Sequence, residues 1–266
     1  MAGFEYDGNQ KYAVLWKNGV IQRLSTTFEY SSNANSVFVS GNDVYVAGVE
    51  YDSNQEYAVL WKNGVIQRLS TTFPESRAYS VFVSGNDVYV AGYEWDEWED
   101  GPIADLGGDL VPALWKNGVP HSYSAEWWGW GVVWINSVFI SGSDVYVTID
   151  GHHELNHGYV GALFKNGVRQ NLDTYNCVTQ SVFVSGNDVY VAGAAAYDNE
   201  YAANYATLWK NGVPQRLSGN YSIANSVFVS GNDVYVAGEE GGYATLWING
   251  AQRVLGPGGA KSVFVK

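Results

Sequence analysis

The feature that most constrains this chain is repetition. Residues 36–48, SVFVSGNDVYVAG, return in close copies beginning at Ser36, Ser80, Ser137, Ser181, Ser226 and Ser262, the last cut short at Lys266. A second signature, A-x-L-W-K-N-G, alternates with the first and centres on Trp16, Trp61, Trp115, Phe164, Trp209 and Trp247. Spread over the chain, six copies give a period of about 44 residues, which fits one four-stranded unit of a radial array.

Turn chemistry divides each unit into strands. Asn-Gly suits a two-residue hairpin turn that needs positive φ at both central positions, and it recurs at Asn18-Gly19, Asn63-Gly64, Asn117-Gly118, Asn166-Gly167, Asn211-Gly212 and Asn249-Gly250. Residues 12–17 and 20–25 are therefore expected to form a hairpin, the third and fourth strands of a unit. Residues 36–40 and 44–48, joined at Gly41-Asn42, are its first and second strands. In SVFVS, Val37 and Val39 face one way and Phe38 the other, so both faces are apolar, as in an inner strand packed between neighbouring sheets. VIQRLS is more polar and belongs at the exposed outer edge.

The expectation is an all-β, six-bladed β-propeller of four-stranded antiparallel blades, a single domain over residues 1–266. The third and fourth strands of one blade lie near the N-terminus and its first strand, residues 262–265, near the C-terminus. The ring would therefore close by pairing of the N- and C-terminal segments. Only residues 2–4 remain for the second strand of that shared blade, which makes it the weakest one or points to a longer parent chain. The sequence also starts in the middle of a repeat, at Met1-Ala2-Gly3, which suggests that a leader or a strand once lay upstream.

Composition agrees. With 46% hydrophobic residues the chain can bury a large core, and 31 Gly with abundant Tyr, Trp and Val favour short strands and turns. A net charge of -13 repels phosphate backbones and anionic membrane surfaces, so neither nucleic acid nor lipid is an expected partner. No apolar run is long enough to span a bilayer, and the single Cys177 allows no internal disulfide. A monomer is expected.

The V-Y-V-A-G and L-W-K-N-G units resemble kelch-like and WD-repeat-like propeller blades, and most closely the repeats of uncharacterised bacterial propeller proteins. The resemblance covers nearly the whole chain. It implies a propeller fold and carries over no catalytic residue. A consistent Gly-Gly pair, as in kelch, and a recurring Trp-Asp pair, as in WD repeats, are both missing. An extracellular or periplasmic location is the accompanying expectation.

In an up-and-down blade the turns joining strands one to two and three to four lie at one end, and these are nearly constant. The loops at the other end vary, and a rigid scaffold usually carries its binding residues on such loops. Variation concentrates between residues 93 and 158. Trp95, Trp98, Trp127, Trp128, Trp130 and Trp134 all fall there outside the repeat position, together with Asp96, Glu97 and other carboxylates. Aromatic faces stack on the C–H face of a sugar while carboxylates accept from its hydroxyls. Trp95, Trp98, Asp96, Glu97, Trp127, Trp128 and Trp130 are thus candidate ligand-binding residues. The competing reading buries these Trp rings in a satellite core under the long loop.

His153-Glu154-Leu155-Asn156-His157 spells the H-E-x-x-H motif of zinc proteases. That motif works on a helix, and Gly151 and Gly158 bracket too few residues for one, so proteolysis is not expected. His152, His153 and His157 remain candidate ligands for a transition metal. Two further series recur. Asp43, Asp87, Asp144, Asp188 and Asp233 should bond turn backbone, and the Ser opening each first strand should line a polar, water-filled centre.

No phosphate-cradling loop and no nucleophile with its base is legible, and no cofactor is expected. The reading is a non-catalytic binding module that recognises carbohydrate through Trp-rich, acidic loops on one face. The alternatives are a protein–protein interaction scaffold using that face, and a hydrolase or lyase using carboxylates and His of residues 93–158.

Overall fold

The computed structural model describes residues 1–8, 10–24, 31–52, 55–70, 75–96, 109–122, 130–153, 158–170, 172, 176–196 and 205–265. All of its regular elements are strands, and the chain divides into two compact units, Met1–Val138 and Phe139–Lys266.

The first unit begins with a three-stranded antiparallel sheet, β1 (Ala2–Asp7), β2 (Gln10–Lys17) and β3 (Val20–Arg23). A four-stranded repeat follows, β4 (Ser32–Ser40), β5 (Asp43–Asp52), β6 (Gln55–Lys62) and β7 (Val65–Arg68). A second comprises β8 (Glu75–Ser84), β9 (Asp87–Asp96), β10 (Asp109–Lys116) and β11 (Val119–Ser122), and β12 (Trp130–Ser141) leaves the unit. The second unit holds β13 (Asp144–His153), β14 (Gly158–Lys165) and β15 (Val168–Gln170). It continues with β16 (Cys177–Ser185), β17 (Asp188–Ala195), β18 (Tyr205–Lys210) and β19 (Val213–Arg216), then β20 (Ser222–Ser230), β21 (Asp233–Glu240), β22 (Tyr243–Ile248) and β23 (Ala251–Pro257).

The inner strands start earlier than the SVFVS motif suggests. β4 begins at Ser32 and β5 runs on to Asp52 because Asn33 and Ala34 pair with Val49 and Gly48 across a bulge between Ala34 and Ser36. The same bulge sits at Ala78/Ser80, Thr179/Ser181 and Ala224/Ser226. It explains the glycine of V-Y-V-A-G. A Cβ on Gly92 would lie 1.8 Å from the Arg77 carbonyl oxygen, and one on Gly48 would lie 2.0 Å from that of Asn33. The bulged backbone thus presses onto a position where only hydrogen fits.

In four repeats an indole ring locks the repeat to the one before it. Trp61 shares a buried cluster with Ala13, Leu15 and Leu24, and Trp115 shares one with Ala47, Ala58 and Leu60. In the second unit Trp209 packs with Leu163 and Leu172, and Trp247 with Ala192, Ala206 and Leu208. These four rings are fully buried, whereas Trp16, in the first sheet of its unit, is only half-buried. As expected for outer edges, β3 and β7 are exposed at every position.

First strands are also stitched to one another. The Ser36 and Ser80 hydroxyls accept from the Val81 and Val138 N–H at 3.2 Å, and Ser181 and Ser226 accept from Val227 and Val263. Phe38 and Phe82 meet at 4.7 Å, and Phe139, Phe183, Phe228 and Phe264 continue the pattern in the second unit. These serines join neighbouring strands, a use that the repeat spacing alone did not reveal. Residues 259–265 form no strand, yet Ala260 accepts from the Asn225 amide and Val263 donates to Ser226, as the first strand of a further repeat would.

Candidate functional site

Every four-stranded repeat has a constant end and a variable end, and they are built differently. At the constant end Asn63 and Gly64 both take positive φ, 52° and 82°, so the Asn-Gly turn forms as expected. Its Asn then bridges to the other turn. The Asn63 Oδ1 accepts from the Val44 N–H at 2.9 Å, and its Nδ2 donates to Asp43 at 2.7 Å. Lys62 completes the group with an ion pair to Asp43 at 3.2 Å. The set recurs as Asp87, Lys116 and Asn117, as Asp144, Lys165 and Asn166, and as Asp188, Lys210 and Asn211. The aspartates therefore serve the side chains of the neighbouring turn, and Asn is what meets the turn backbone. Hydrogen bonding from Asn63 and then Lys62 holds the Asp43 carboxyl below its ordinary value. For Asp87, Asp144 and Asp188 the Lys partner leads and the Asn follows, with the same result.

At the variable end of the first unit, register gathers residues that lie far apart in sequence. Tyr51 faces Glu56 across β5 and β6, and Arg77 faces Tyr93 across β8 and β9. A single parallel bridge between Glu56 and Glu75 then draws the two repeats together at that end. The Arg77 guanidinium donates through Nε and Nη2 to the two oxygens of Glu56, the second at 2.5 Å. Arg77 and Glu56 side chains are 35% and 18% exposed, so the pair is partly desolvated and still reachable. Tyr79 and Tyr93 rings meet at 5.9 Å and 49° beside it.

Electrostatics follow from that packing. The hydrogen bonds to Glu56 hold the Arg77 guanidinium more firmly protonated than usual. Burial pushes the Tyr51, Tyr79 and Tyr93 hydroxyls above the ordinary phenol range. All three phenols therefore stay neutral near pH 7, each able to donate and accept a hydrogen bond. Arg77 stands where other repeats carry Asn33, Val178 and Ile223, and Glu56 where they carry Lys11, Leu110 and Gly242. These positions differ from repeat to repeat, and at them the cluster carries its own charged pair.

Of the residues singled out from the sequence, Trp95 borders this cluster. Trp95 is half-buried and faces both Glu75 and Leu110, at the root of a hairpin whose last pair is Asp96 with Asp109. Glu94, beside it, is buried. Trp98, Glu97, Trp127 and Trp128 lie outside the described residues. The backbones of Asp96 and Trp130 are strand, and their side chains fall outside the description. His152 and His153 end β13, in register with Tyr159 and Gly158, so the first His of H-E-x-x-H lies in a strand, and residues 154–156 are outside the described residues. His157 is outside the described residues. Arg77, Glu56 and the three tyrosines were not found from spacing, although a column-by-column alignment of the repeats would have flagged Arg77 and Glu56.

No family model matches the chain, and no curated protein matches it. Among solved structures it is similar to a Trypanosoma rangeli sialidase in complex with the inhibitor DANA, with 9% identity, a TM-score of 0.59 and 91% of this chain covered. The sialidase in complex with sialic acid gives 11% identity, a TM-score of 0.57 and 98% coverage. The extracellular domain of a B. thetaiotaomicron one-component system gives 9%, 0.53 and 100%. The chain spans 50%, 52% and 36% of those three chains. These likenesses show the fold: the protein is an all-β chain of propeller type. The expected likeness to kelch and WD repeats finds no support in these comparisons; the propeller-type fold alone stands.

Proposed function

We propose that the chain is a non-catalytic carbohydrate-recognition module, and that its ligand meets the variable end of the first unit. The observation that carries this reading is the Tyr51, Glu56, Arg77, Tyr79 and Tyr93 cluster, set at the foot of the Trp95 hairpin where the repeats differ. Phenol rings supply faces for sugar C–H groups, while the guanidinium, carboxylate and hydroxyls match sugar hydroxyls. The fold likeness to sialidases, which bind sialic acid and DANA, makes carbohydrate the natural class to test first.

The proposal extends to architecture and setting. Six blades form one ring, residues 262–265 supplying the first strand that the N-terminal sheet lacks, and the protein works as a monomer outside the cytoplasm. The extracellular domain among its structural relatives agrees with that location. Trp98, Glu97, Asp96, Trp127, Trp128 and Trp130 are proposed as further ligand contacts, and His152, His153 and His157 as a metal site.

The test is a glycan array probed with the wild-type chain and with a variant in which residues 97–108 are replaced by Asn-Gly. Because Asp96 faces Asp109, a two-residue turn can close that hairpin without moving its strands. Binding by the wild type and its loss in the folded variant is the expected result. Absence of binding by both would overturn the reading and turn attention to a protein partner.

A further inference from the structure

The Arg77–Glu56 pair bears on which saccharides this surface accepts. An arginine that recognises a carboxylated sugar normally offers its charge to the ligand, in a bidentate pair. Here two of the five guanidinium N–H donors already engage the two oxygens of Glu56. The cation is therefore compensated from within the protein. The Tyr51 hydroxyl interacts with Glu56 and the Tyr79 hydroxyl with Arg77, so a ligand meets a preorganised set of directional donors and acceptors whose spare capacity lies in the remaining guanidinium N–H groups, the Glu56 lone pairs and the phenol oxygens.

The surroundings add negative charge. Glu75 bridges directly to Glu56, and both carboxylates act on the Tyr93 hydroxyl. The net charge of the chain, -13, gives the same bias at longer range. A carboxylated ligand entering a partly desolvated place beside these groups meets like charge, whereas a neutral diol does not. The part-exposed Tyr79 ring, backed by the buried Tyr93 ring at 49°, also supplies an apolar flank that suits the C–H face of a neutral ring.

From these observations we infer that the cluster of Tyr51, Glu56, Arg77, Tyr79 and Tyr93 takes uncharged vicinal hydroxyls of a neutral saccharide and discriminates against carboxylated sugars. This rests on the carbohydrate reading above and narrows it. Glu56 is the specificity-determining residue, because it cancels the one cation of the cluster. Arg77 and the phenols supply the hydrogen bonds.

The experiment uses the full chain on neutral oligosaccharides, each printed beside its sialylated or uronic-acid counterpart. Affinities are then measured in solution for the best pair. The wild type should prefer the neutral member by about tenfold or more, roughly the discrimination one misplaced charge provides. The isosteric Glu56→Gln change frees the Arg77 charge and should shift that ratio toward the acidic member by about tenfold. Tyr79→Phe, which keeps the ring contact, should weaken the neutral ligand without changing the ratio, and so guards against a misfolded Glu56 variant. A wild-type preference for the acidic member, or a Glu56→Gln ratio equal to that of the wild type, would overturn the inference and leave the carbohydrate reading standing. Absence of binding to either member would remove the reading itself, and the inference with it.

Discussion

The two ends of the repeats in the first unit use the same residue types for opposite purposes. At the constant end Asp43, Lys62 and Asn63 form a closed group that satisfies a turn, and it is copied at Asp87, Lys116 and Asn117. At the variable end Glu56 and Arg77 form a charged pair that is not copied, and three tyrosines stand around it. Repetition is what separates them. A charge group that recurs in repeat after repeat answers a need of the scaffold, whereas one that appears once, at positions that differ in every repeat, answers a need of that place.

The largest expected effect breaks the scaffold that both ends share. Trp115→Ala removes a fully buried ring and should cost about 3–5 kcal/mol in urea unfolding. Trp16→Ala should cost clearly less because that ring is half-buried; equal losses would contradict the packing order described. Next comes Gly92→Ala, whose new Cβ meets the Arg77 carbonyl oxygen. Overpacking of this kind typically costs about 1–3 kcal/mol. It should also weaken glycan binding by displacing Arg77, and that double effect is absent if the same change is made at Gly48.

Smaller effects sharpen the contrast from the constant end. Asn63→Ala removes the bond to the Val44 N–H and the residue suited to positive φ, so about 1 kcal/mol should be lost with no change in glycan affinity. A change in affinity would mean that the two ends are coupled. The smallest effect is on pH dependence. The carboxyls of Asp43, Asp87, Asp144 and Asp188 sit below the ordinary carboxylate value in the fold, held there by their Asn and Lys partners. A depressed carboxyl contributes stability that is complete above the unfolded value and is lost as pH falls through the folded one. Melting temperature should therefore decline below about pH 4, and Lys62→Met should blunt that decline only slightly, because the pair is exposed and screened.

Much of the scaffold was legible in the sequence. Asn-Gly pairs announced the turns, the V-Y-V and F-V alternation announced inner strands, and VIQR announced the outer edge. The longer inner strands escaped notice because the bulge at Ala34/Ser36 shifts register, and periodicity cannot carry a pattern across an inserted residue. The serine stitches were hidden for a related reason, since their partners lie in the next repeat. The candidate site was half legible. Trp95 stood out by type, while Tyr51, Glu56, Arg77, Tyr79 and Tyr93 are ordinary residues that only strand register and the Glu56–Glu75 bridge bring together.

Hydrogen–deuterium exchange with the best neutral glycan from the array tests the central claim most directly. The account predicts slowed exchange in residues 50–56, 76–79 and 93–95, with no change at the turns around residues 41–43 and 63–64. Protection centred on those repeated turns, with the Arg77 strands unaffected, would contradict it.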